Sequence, residues 1–219
     1  MANRRNILIG SGAAVVAAAA GTGVSFLFGS TAAYAQQFDA QRLLSPAGGV
    51  PDHPLGNKDA KVTVVEYLSP TCPHCKAFVD DVFPQLKAEY IDTGKIQFIP
   101  RPFVRNVLDA VVFMLAEAAG EAKYHEVVDT FFRTQTEWVT SNTPADAMFA
   151  IAQQLGFTKE TYDAALTNQA LFSGLETMRD QATREFQLQG TPTFYINGKM
   201  LSGGASFENL KAEIDPLLA

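Results

Sequence analysis

The chain has 219 residues, of which 47% are hydrophobic and 18% charged, and its formal net charge at pH 7 is −6. This composition is typical of a globular protein and excludes a disordered, collagen-like or polytopic membrane protein. The acidic balance argues against nucleic acid or an anionic membrane surface as the main partner.

Residues 1–35 have the pattern of an export signal. Arg4 and Arg5 precede an apolar stretch rich in small residues, and Ala33-Tyr34-Ala35 offers small residues where a signal peptidase cleaves. We expect cleavage before Gln36 and export to the periplasm. An uncleaved membrane anchor is the alternative, although glycine, serine and threonine repeatedly interrupt the stretch. The paired arginines leave the twin-arginine route open.

The predicted signal holds two of the 17 basic residues and none of the 23 acidic ones, so the mature chain would carry −8. After it, residues 36–57 are rich in glycine and proline and are predicted to form a loop-like arm. Residues 61–68 are enriched in β-branched and aromatic side chains, which predicts a buried strand. Ser69-Pro70 ends that strand.

A helix is expected to begin at Pro73, because proline suits the first helical turn, where its missing N–H would be unpaired anyway. Apolar residues then recur at three- and four-residue steps, and Pro84 is predicted to kink the helix. A second strand is predicted over residues 96–99, ended by Pro100 and Pro102.

Residues 106–188 show helical patterns alone. Residues 107–119 are apolar nearly all round, which predicts a buried helix, and residues 122–135 are amphipathic. Three further helices are indicated, in chain order, by Thr143-Pro144 with Gly156, by a Thr158 cap, and by apolar residues from Leu171 to Phe186 before Gly190. Phe131 and Trp138 are predicted to lie in the core of this helical lobe (residues 106–188).

Asn197-Gly198 between residues 193–196 and 199–201 is a strong signal for a β-hairpin. Ser206 is then expected to cap a final helix.

The order strand, helix, strand, helical lobe, hairpin, helix predicts an α/β fold. A βαβ unit and a ββα unit would share one mixed sheet flanked by helices. Residues 58–105 and 189–219 would form this part, and residues 106–188 would be an all-helical insertion.

The two cysteines, Cys72 and Cys75, lie in the run Thr71-Cys72-Pro73-His74-Cys75. A disulfide between them closes too short a loop to add much stability, so the pair indicates redox chemistry. A helix N-terminus and the His74 imidazole both favour the Cys72 thiolate, the nucleophile of disulfide exchange. Stabilising that thiolate stabilises the reduced protein and makes its disulfide a stronger oxidant, which points to disulfide donation.

Half of a zinc site is the other interpretation of two cysteines at this spacing. Three histidines, His53, His74 and His125, remain as nitrogen ligands. His53 lies in the arm, and His125 lies on the polar face of its predicted helix with Asp129 one turn on. We therefore interpret His125 as a solvated surface residue and expect neither a metal nor a cofactor.

Three segments together resemble the thioredoxin superfamily: Val64-Val65-Glu66-Tyr67, Cys72-Pro73-His74-Cys75 and Gly190-Thr191-Pro192-Thr193-Phe194. Within it, the chain is similar to the DsbA-type bacterial oxidoreductases, which carry a helical domain inserted in a thioredoxin fold. The resemblance covers roughly residues 55–218. It implies that Cys72 is the attacking cysteine, that Cys75 is its buried partner, and that Pro192 is a cis-proline beside them.

The resemblance also implies a role for Glu66, six residues before Cys72. It would be a buried acid beneath the site, with a pKa raised by desolvation, that passes protons to or from Cys75. The alternative is a carboxylate at the strand end, paired with Lys58 or Lys61.

By the same resemblance, the protein donates disulfides to unfolded or reduced exported proteins and is reoxidised by a quinone-linked membrane partner of the DsbB type. Thr191 before the cis-proline also resembles the isomerase branch, which leaves an isomerase or reductase open. Isomerases need a separate dimerisation domain, however, and residues 36–57 are too short for one. A thiolate carrier for copper or zinc is the alternative of another class. Phe103 and Phe194 are predicted to line the substrate groove.

Overall fold

A mixed five-stranded sheet forms the centre of the described part of the chain. The computed structural model describes residues 36–219, which belong to one compact unit, so the predicted export signal lies outside the described residues. The strands are β1 (Leu55–Gly56), β2 (Val62–Leu68), β3 (Ile96–Pro102), β4 (Thr193–Ile196) and β5 (Lys199–Met200). Their order is β1-β3-β2-β4-β5, with β2 and β3 parallel and the other neighbours antiparallel. This is the predicted thioredoxin-type sheet.

The segment that follows β2 is helical from Pro73 to Ile91, but it is not one regular α-helix. Two short α-helices, α2 (Pro73–Ala77) and α3 (Phe83–Leu86), are each followed by a π turn, Phe78–Val82 and Lys87–Ile91. Pro84 donates no backbone hydrogen bond and its ring crowds the carbonyl four residues earlier. The distortion predicted at Pro84 is therefore a π turn directly before α3.

Strand β3 continues through Pro100 and Pro102, so the predicted strand end before Pro100 is wrong. Ile96 O accepts a hydrogen bond from the β1 side (3.2 Å), whereas Phe103 N donates to the β2 side (2.8 Å). Backbone groups alternate between the two sides, so both prolines turn their missing N–H away from β2. Strand β1 covers that edge only as far as Phe98, and no other strand of residues 36–219 pairs there.

The stretch between β3 and β4 is helical, as predicted. Its helices are α4 (Val107–Ala119), α5 (Tyr124–Arg133), α6 (Gln135–Val139), α7 (Pro144–Gln154), α8 (Lys159–Leu166) and α9 (Gln169–Glu185), with a 3-10 turn over Glu121–Lys123. Side-chain oxygens of Asn106, Thr158 and Asn168 cap α4, α8 and α9. The amphipathic stretch 122–135 is divided between the 3-10 turn, α5 and α6. None of the helices described in residues 36–219 has the length and apolar character needed to cross a membrane.

The predicted hairpin and final helix are confirmed. Asn197 and Gly198 both have positive φ (47° and 85°), as a two-residue turn between β4 and β5 requires. The Ser206 side chain accepts a hydrogen bond from Asn209 N (3.2 Å) and caps α10 (Phe207–Leu218).

Alternate residues of β2 point to opposite faces of the sheet, and both faces are covered. Val62 and Val64 pack against α10 and the helical segment after β2, whereas Val65 and Tyr67 pack against α9. Glu66 has the same parity as Val62 and Val64, so it faces the helix that carries Cys75. A separate core fills the helical lobe, where Phe131 and Trp138 are fully buried, as predicted.

The arm over residues 36–57 is loop-like over most of its length, but it holds three short elements that were not predicted. It contains α1 (Ala40–Leu43), a 3-10 turn over Ala47–Gly49 and strand β1. Met200 N donates a hydrogen bond to Gln36 O (2.8 Å), which attaches the start of the arm to strand β5 of the hairpin. The buried Arg101 of β3 donates to Asp52 (2.8 Å) and to Leu43 O (2.7 Å). These long-range contacts, rather than local periodicity, order the arm.

Candidate redox site

The two cysteines lie at the start of α2, directly after β2. Cys72 is the N-cap residue, and its backbone N donates a hydrogen bond to Ser69 O (3.0 Å). Pro73 occupies the first turn of the helix, as predicted. Cys75 lies one turn on. Both are free thiols, with exposed fractions of 3% for Cys72 and 0% for Cys75.

The Cys72 sulfur is surrounded by hydrogen-bond donors, which lower the pKa of this thiol to about 4. The largest effect comes from the Cys75 thiol; burial opposes it, and the Thr191 side chain and the backbone N–H groups of Cys75 and His74 add to it. When protonated, the Cys72 thiol itself donates to Thr191 O (3.2 Å). The helix start therefore favours the thiolate form of Cys72.

His74 acts on Cys72 through its backbone N–H. Its side chain is exposed, and the groups that lower the pKa of Cys72 include the His74 N–H but not the imidazole. Among residues 36–219 no hydrogen bond joins the His74 ring to the Cys72 sulfur, and the contribution of the ring remains a prediction.

Thr191 and Pro192 bring the loop before β4 to the cysteines. The Thr191–Pro192 peptide bond is cis, as the resemblance implies. The Thr191 hydroxyl is buried and has no hydrogen-bond partner within residues 36–219. Since this side chain lowers the pKa of Cys72, we assign the hydroxyl as a donor to the Cys72 thiolate.

The pKa values of Cys75 and Glu66 are raised, whereas the pKa of Cys72 is lowered. Burial is the main cause that raises the pKa of the Cys75 thiol, and Ser69 N at 3.5 Å opposes it only in part. Glu66 is 2% exposed, and its Oε1 has no partner among the described residues, so it is not held by Lys58 or Lys61. Burial first, and then the charge of Cys72, raise the pKa of Glu66 to about 8.

A groove of about 420 Å³ lies beside the cysteines, between residues 74–82 and the loops Thr191-Pro192 and Gly204-Ala205. The two phenylalanines predicted to line it do not. Phe194 is 2% exposed because its ring packs on Phe78 (4.7 Å between centroids). Phe103 packs on the other face of the sheet.

His53 and His125 lie at the contact between the arm and the helical lobe. The His53 ring stacks on the Tyr124 ring (3.7 Å between centroids), and its Nε2 is 2.9 Å from Glu117 Oε1. The His125 ring lies edge-on to the His53 ring, with 6.4 Å between centroids. His125 is half-buried, so the predicted solvated position is wrong: the arm covers it. Across residues 36–219, no three His, Cys, Asp or Glu side chains are placed to hold a metal ion.

A family model described as thioredoxin matches residues 49–216. A Rickettsia bellii protein, named provisionally as a protein-disulfide oxidoreductase, is 34% identical over 168 residues, which cover 75% of this chain and 63% of that protein. Disulfide bond formation protein D of Bacillus subtilis is 30% identical over 172 residues, which cover 74% of each chain. The chain belongs to the DsbA-type oxidoreductases of the thioredoxin superfamily.

The crystal structure of Wolbachia pipientis α-DsbA1 shows that this DsbA-type chain shares its fold. The two structures have a TM-score of 0.73 at 24% identity, over 82% of this chain and 96% of that one. The present chain spans only 63% of the length of its Rickettsia bellii relative.

Two buried side chains of this DsbA-type protein were not predicted to touch the site. Asp109 of α4 accepts hydrogen bonds from Thr71 N (2.8 Å) and Ser69 Oγ (2.8 Å), and Gln135 of α6 donates to Cys72 O (3.0 Å). Asp109 had a local signal, since an acidic residue three positions after a capping Asn106 suits a first helical turn. Nothing in the sequence near Gln135 indicates its contact.

The Thr191 hydroxyl can be tested by substitution. In Thr191→Val the pKa of Cys72 should rise by roughly half a unit to one unit, since a hydrogen bond contributes about 0.5–1.5 kcal/mol and one pKa unit corresponds to about 1.4 kcal/mol. Thiolate absorbance at 240 nm against pH measures this. Thr63→Val, at the far end of β2, is the control, and an unchanged titration in Thr191→Val would show that the hydroxyl does not reach the thiolate.

Proposed function

We propose that the protein is a thiol–disulfide oxidoreductase that donates the Cys72–Cys75 disulfide to exported proteins in the periplasm. The observation that carries the proposal is the contrast between the two cysteines. Hydrogen bonds lower the pKa of Cys72 to about 4, whereas burial raises that of Cys75. An acidic Cys72 stabilises the reduced form and makes the disulfide oxidising.

The proposed reaction begins with the oxidised protein. A substrate thiolate attacks Cys72 Sγ, the Cys72–Cys75 bond breaks, and its electron pair passes to Cys75, which takes a proton. Glu66 is the proposed donor of that proton, because it is buried on the face of β2 that the cysteine helix covers. A second substrate thiolate then attacks the substrate sulfur of the mixed disulfide, and Cys72 leaves as a stable thiolate. Two electrons move from the substrate to the protein.

The proposed partners follow from this direction of electron flow. Reduced or unfolded exported proteins supply the two thiols, and the groove between residues 74–82 and the cis-proline loop is the proposed place for the substrate chain. The reduced Cys72–Cys75 pair must then pass two electrons to an oxidant, for which a quinone-linked membrane protein of the DsbB type is proposed. The export pattern of residues 1–35 supports a periplasmic location, and residues 106–188 are the proposed inserted domain.

The redox equilibrium with glutathione tests the proposal. We expect Cys72 to ionise near pH 4 in the reduced protein and the potential to lie well above the value of about −270 mV for thioredoxin. Oxidation of a reduced model substrate should accompany this. A potential near that of thioredoxin would contradict disulfide donation and favour the isomerase or reductase, with which Thr191 is also compatible.

A further inference from the structure

Gln135 reaches the cysteine segment from the helical lobe. Its Nε2 donates to Pro70 O (2.7 Å) and to Cys72 O (3.0 Å), and the residue is only 6% exposed. Cys72 O is also the acceptor of the first hydrogen bond of α2, from Lys76 N (3.1 Å). The Gln135 amide therefore holds both the chain that enters α2 and the helix start itself.

Asp109 is a second attachment of the same segment to the helical lobe. It is fully buried, and its carboxylate accepts hydrogen bonds from Ser69 Oγ and Thr71 N. Ser69 in turn donates its N–H to Cys75 Sγ (3.5 Å). With the two bonds from Gln135, each of the four residues from Ser69 to Cys72 is bonded to a side chain of the lobe.

We propose that Gln135 is a positioning residue of the redox pair. It fixes the backbone at the start of α2, so that the N–H groups of this turn stay directed at the Cys72 sulfur and favour its thiolate form. This inference rests on the function proposed above, since it adds a residue to the same site. The Gln135 amide is hydrogen-bonded to backbone groups that are present in both redox states, whereas the negative charge on Cys72 exists only in the reduced state. The positive end of the amide dipole points at Cys72, so Gln135 stabilises the reduced state more than the oxidised one.

Asp109 is less suited to a test of this idea, because its two effects have opposite signs. Its bonds fix the segment, but a negative charge near Cys72 disfavours a second one. For Gln135, the fixing of the helix start and the direction of the dipole both favour the thiolate. Loss of the Gln135 amide must therefore make Cys72 less acidic if the proposal holds.

Gln135→Met tests the proposal, because methionine is similar in size and donates no hydrogen bond. The pKa of Cys72, from thiolate absorbance at 240 nm, should rise by roughly half a unit to one unit. The equilibrium constant with glutathione should shift about three- to tenfold toward the oxidised protein, as one pKa unit is a tenfold change. Should Gln135→Met not fold, Gln135→Asn, whose amide is one methylene shorter, should shift both values in the same direction.

Gln181 provides a matched control. It is also a buried glutamine (5% exposed) whose amide bonds two backbone groups, Ala47 N (2.7 Å) and Ser45 O (3.2 Å), but these belong to the arm. Gln181→Met should lower the free energy of unfolding and leave the Cys72 titration and the glutathione equilibrium at their wild-type values. Equal shifts in Gln135→Met and Gln181→Met, or no shift in either Gln135 variant, would overturn this inference but not the proposed function. A wild-type Cys72 that ionises like a free thiol would overturn the proposed function as well.

Discussion

The Cys75→Ser protein should lose its oxidase activity and hold its substrates as mixed disulfides. Without a second sulfur the protein has no disulfide to donate, so oxidation of a reduced model substrate should fall to the rate without protein. Cys72 keeps the Thr191 hydroxyl, the helix N–H groups and an O–H donor at position 75, so its thiolate should still react with substrate disulfides. No thiol at position 75 can then release the adduct, which non-reducing electrophoresis and mass spectrometry detect.

The Cys72→Ser protein is the matched control for this experiment. Cys75 is fully buried and burial raises the pKa of its thiol, so it should form adducts far more slowly than Cys72 does. Both single variants should therefore lack oxidase activity, but only Cys75→Ser should accumulate adducts. Rapid adduct formation on Cys75 in Cys72→Ser would reverse the assignment of attacking and buried cysteine.

Local sequence signals were sufficient for the elements that local interactions determine. Helix α4 has the predicted bounds, because Asn106 caps it and Gly120, with a φ of 82°, ends it. The turn at Asn197-Gly198 is likewise determined by two residues that tolerate positive φ. In each case the residues that define the element are neighbours in sequence.

Elements determined by distant contacts were predicted less well. Strand β3 passes through two prolines because β1 is short, and the arm is ordered by Arg101 and the hairpin. Neither feature can be predicted from the neighbouring residues in the sequence. The contacts of Asp109 and Gln135 with the cysteine segment join residues 38 to 65 positions apart, so no spacing rule could indicate them.

The sequence predicted which residues form the candidate site, but not all of the interactions among them. Cys72, Cys75, Thr191 and Pro192 are brought together. For Glu66 the sequence left burial and a lysine pair open, and the structure decides for burial because helices cover that face of β2. For His74 the sequence pointed to the ring, whereas the backbone N–H is the group that reaches the sulfur.

The stability of the protein should fall as pH rises from about 4.5 to about 8, and Glu66→Gln should remove much of this fall. The pKa of Glu66 is about 8 in the folded protein, mainly because of burial, against an ordinary value of 4.5. Below pH 4.5 the carboxyl is protonated whether the chain is folded or not. Between these values the unfolded chain releases the proton while the folded protein retains it, so folding becomes less favourable.

The expected size of the effect follows from about 1.4 kcal/mol for each pH unit in this range. The difference in unfolding free energy between Glu66→Gln and wild type should therefore grow by roughly 3 kcal/mol between pH 4.5 and pH 7. Urea denaturation at several pH values measures this difference. The disulfide form should be used, because it removes the titration of Cys72 and Cys75 from the comparison. It also removes the Cys72 charge, so burial alone raises the pKa of Glu66 in this form and roughly 3 kcal/mol is the upper value of the effect.

Glu137→Gln is the control, since Glu137 is an exposed carboxylate of α6 and its loss should leave the pH dependence of stability unchanged. Glutamine at position 66 buries an amide, which has its own desolvation penalty, but that penalty does not vary with pH. The slope against pH therefore isolates the ionisation of Glu66 from its packing. If wild type and Glu66→Gln had parallel curves, Glu66 would ionise at its ordinary pH in the folded protein. It would then hold no proton at neutral pH to pass to Cys75, and the proposed route for that proton would fail with it.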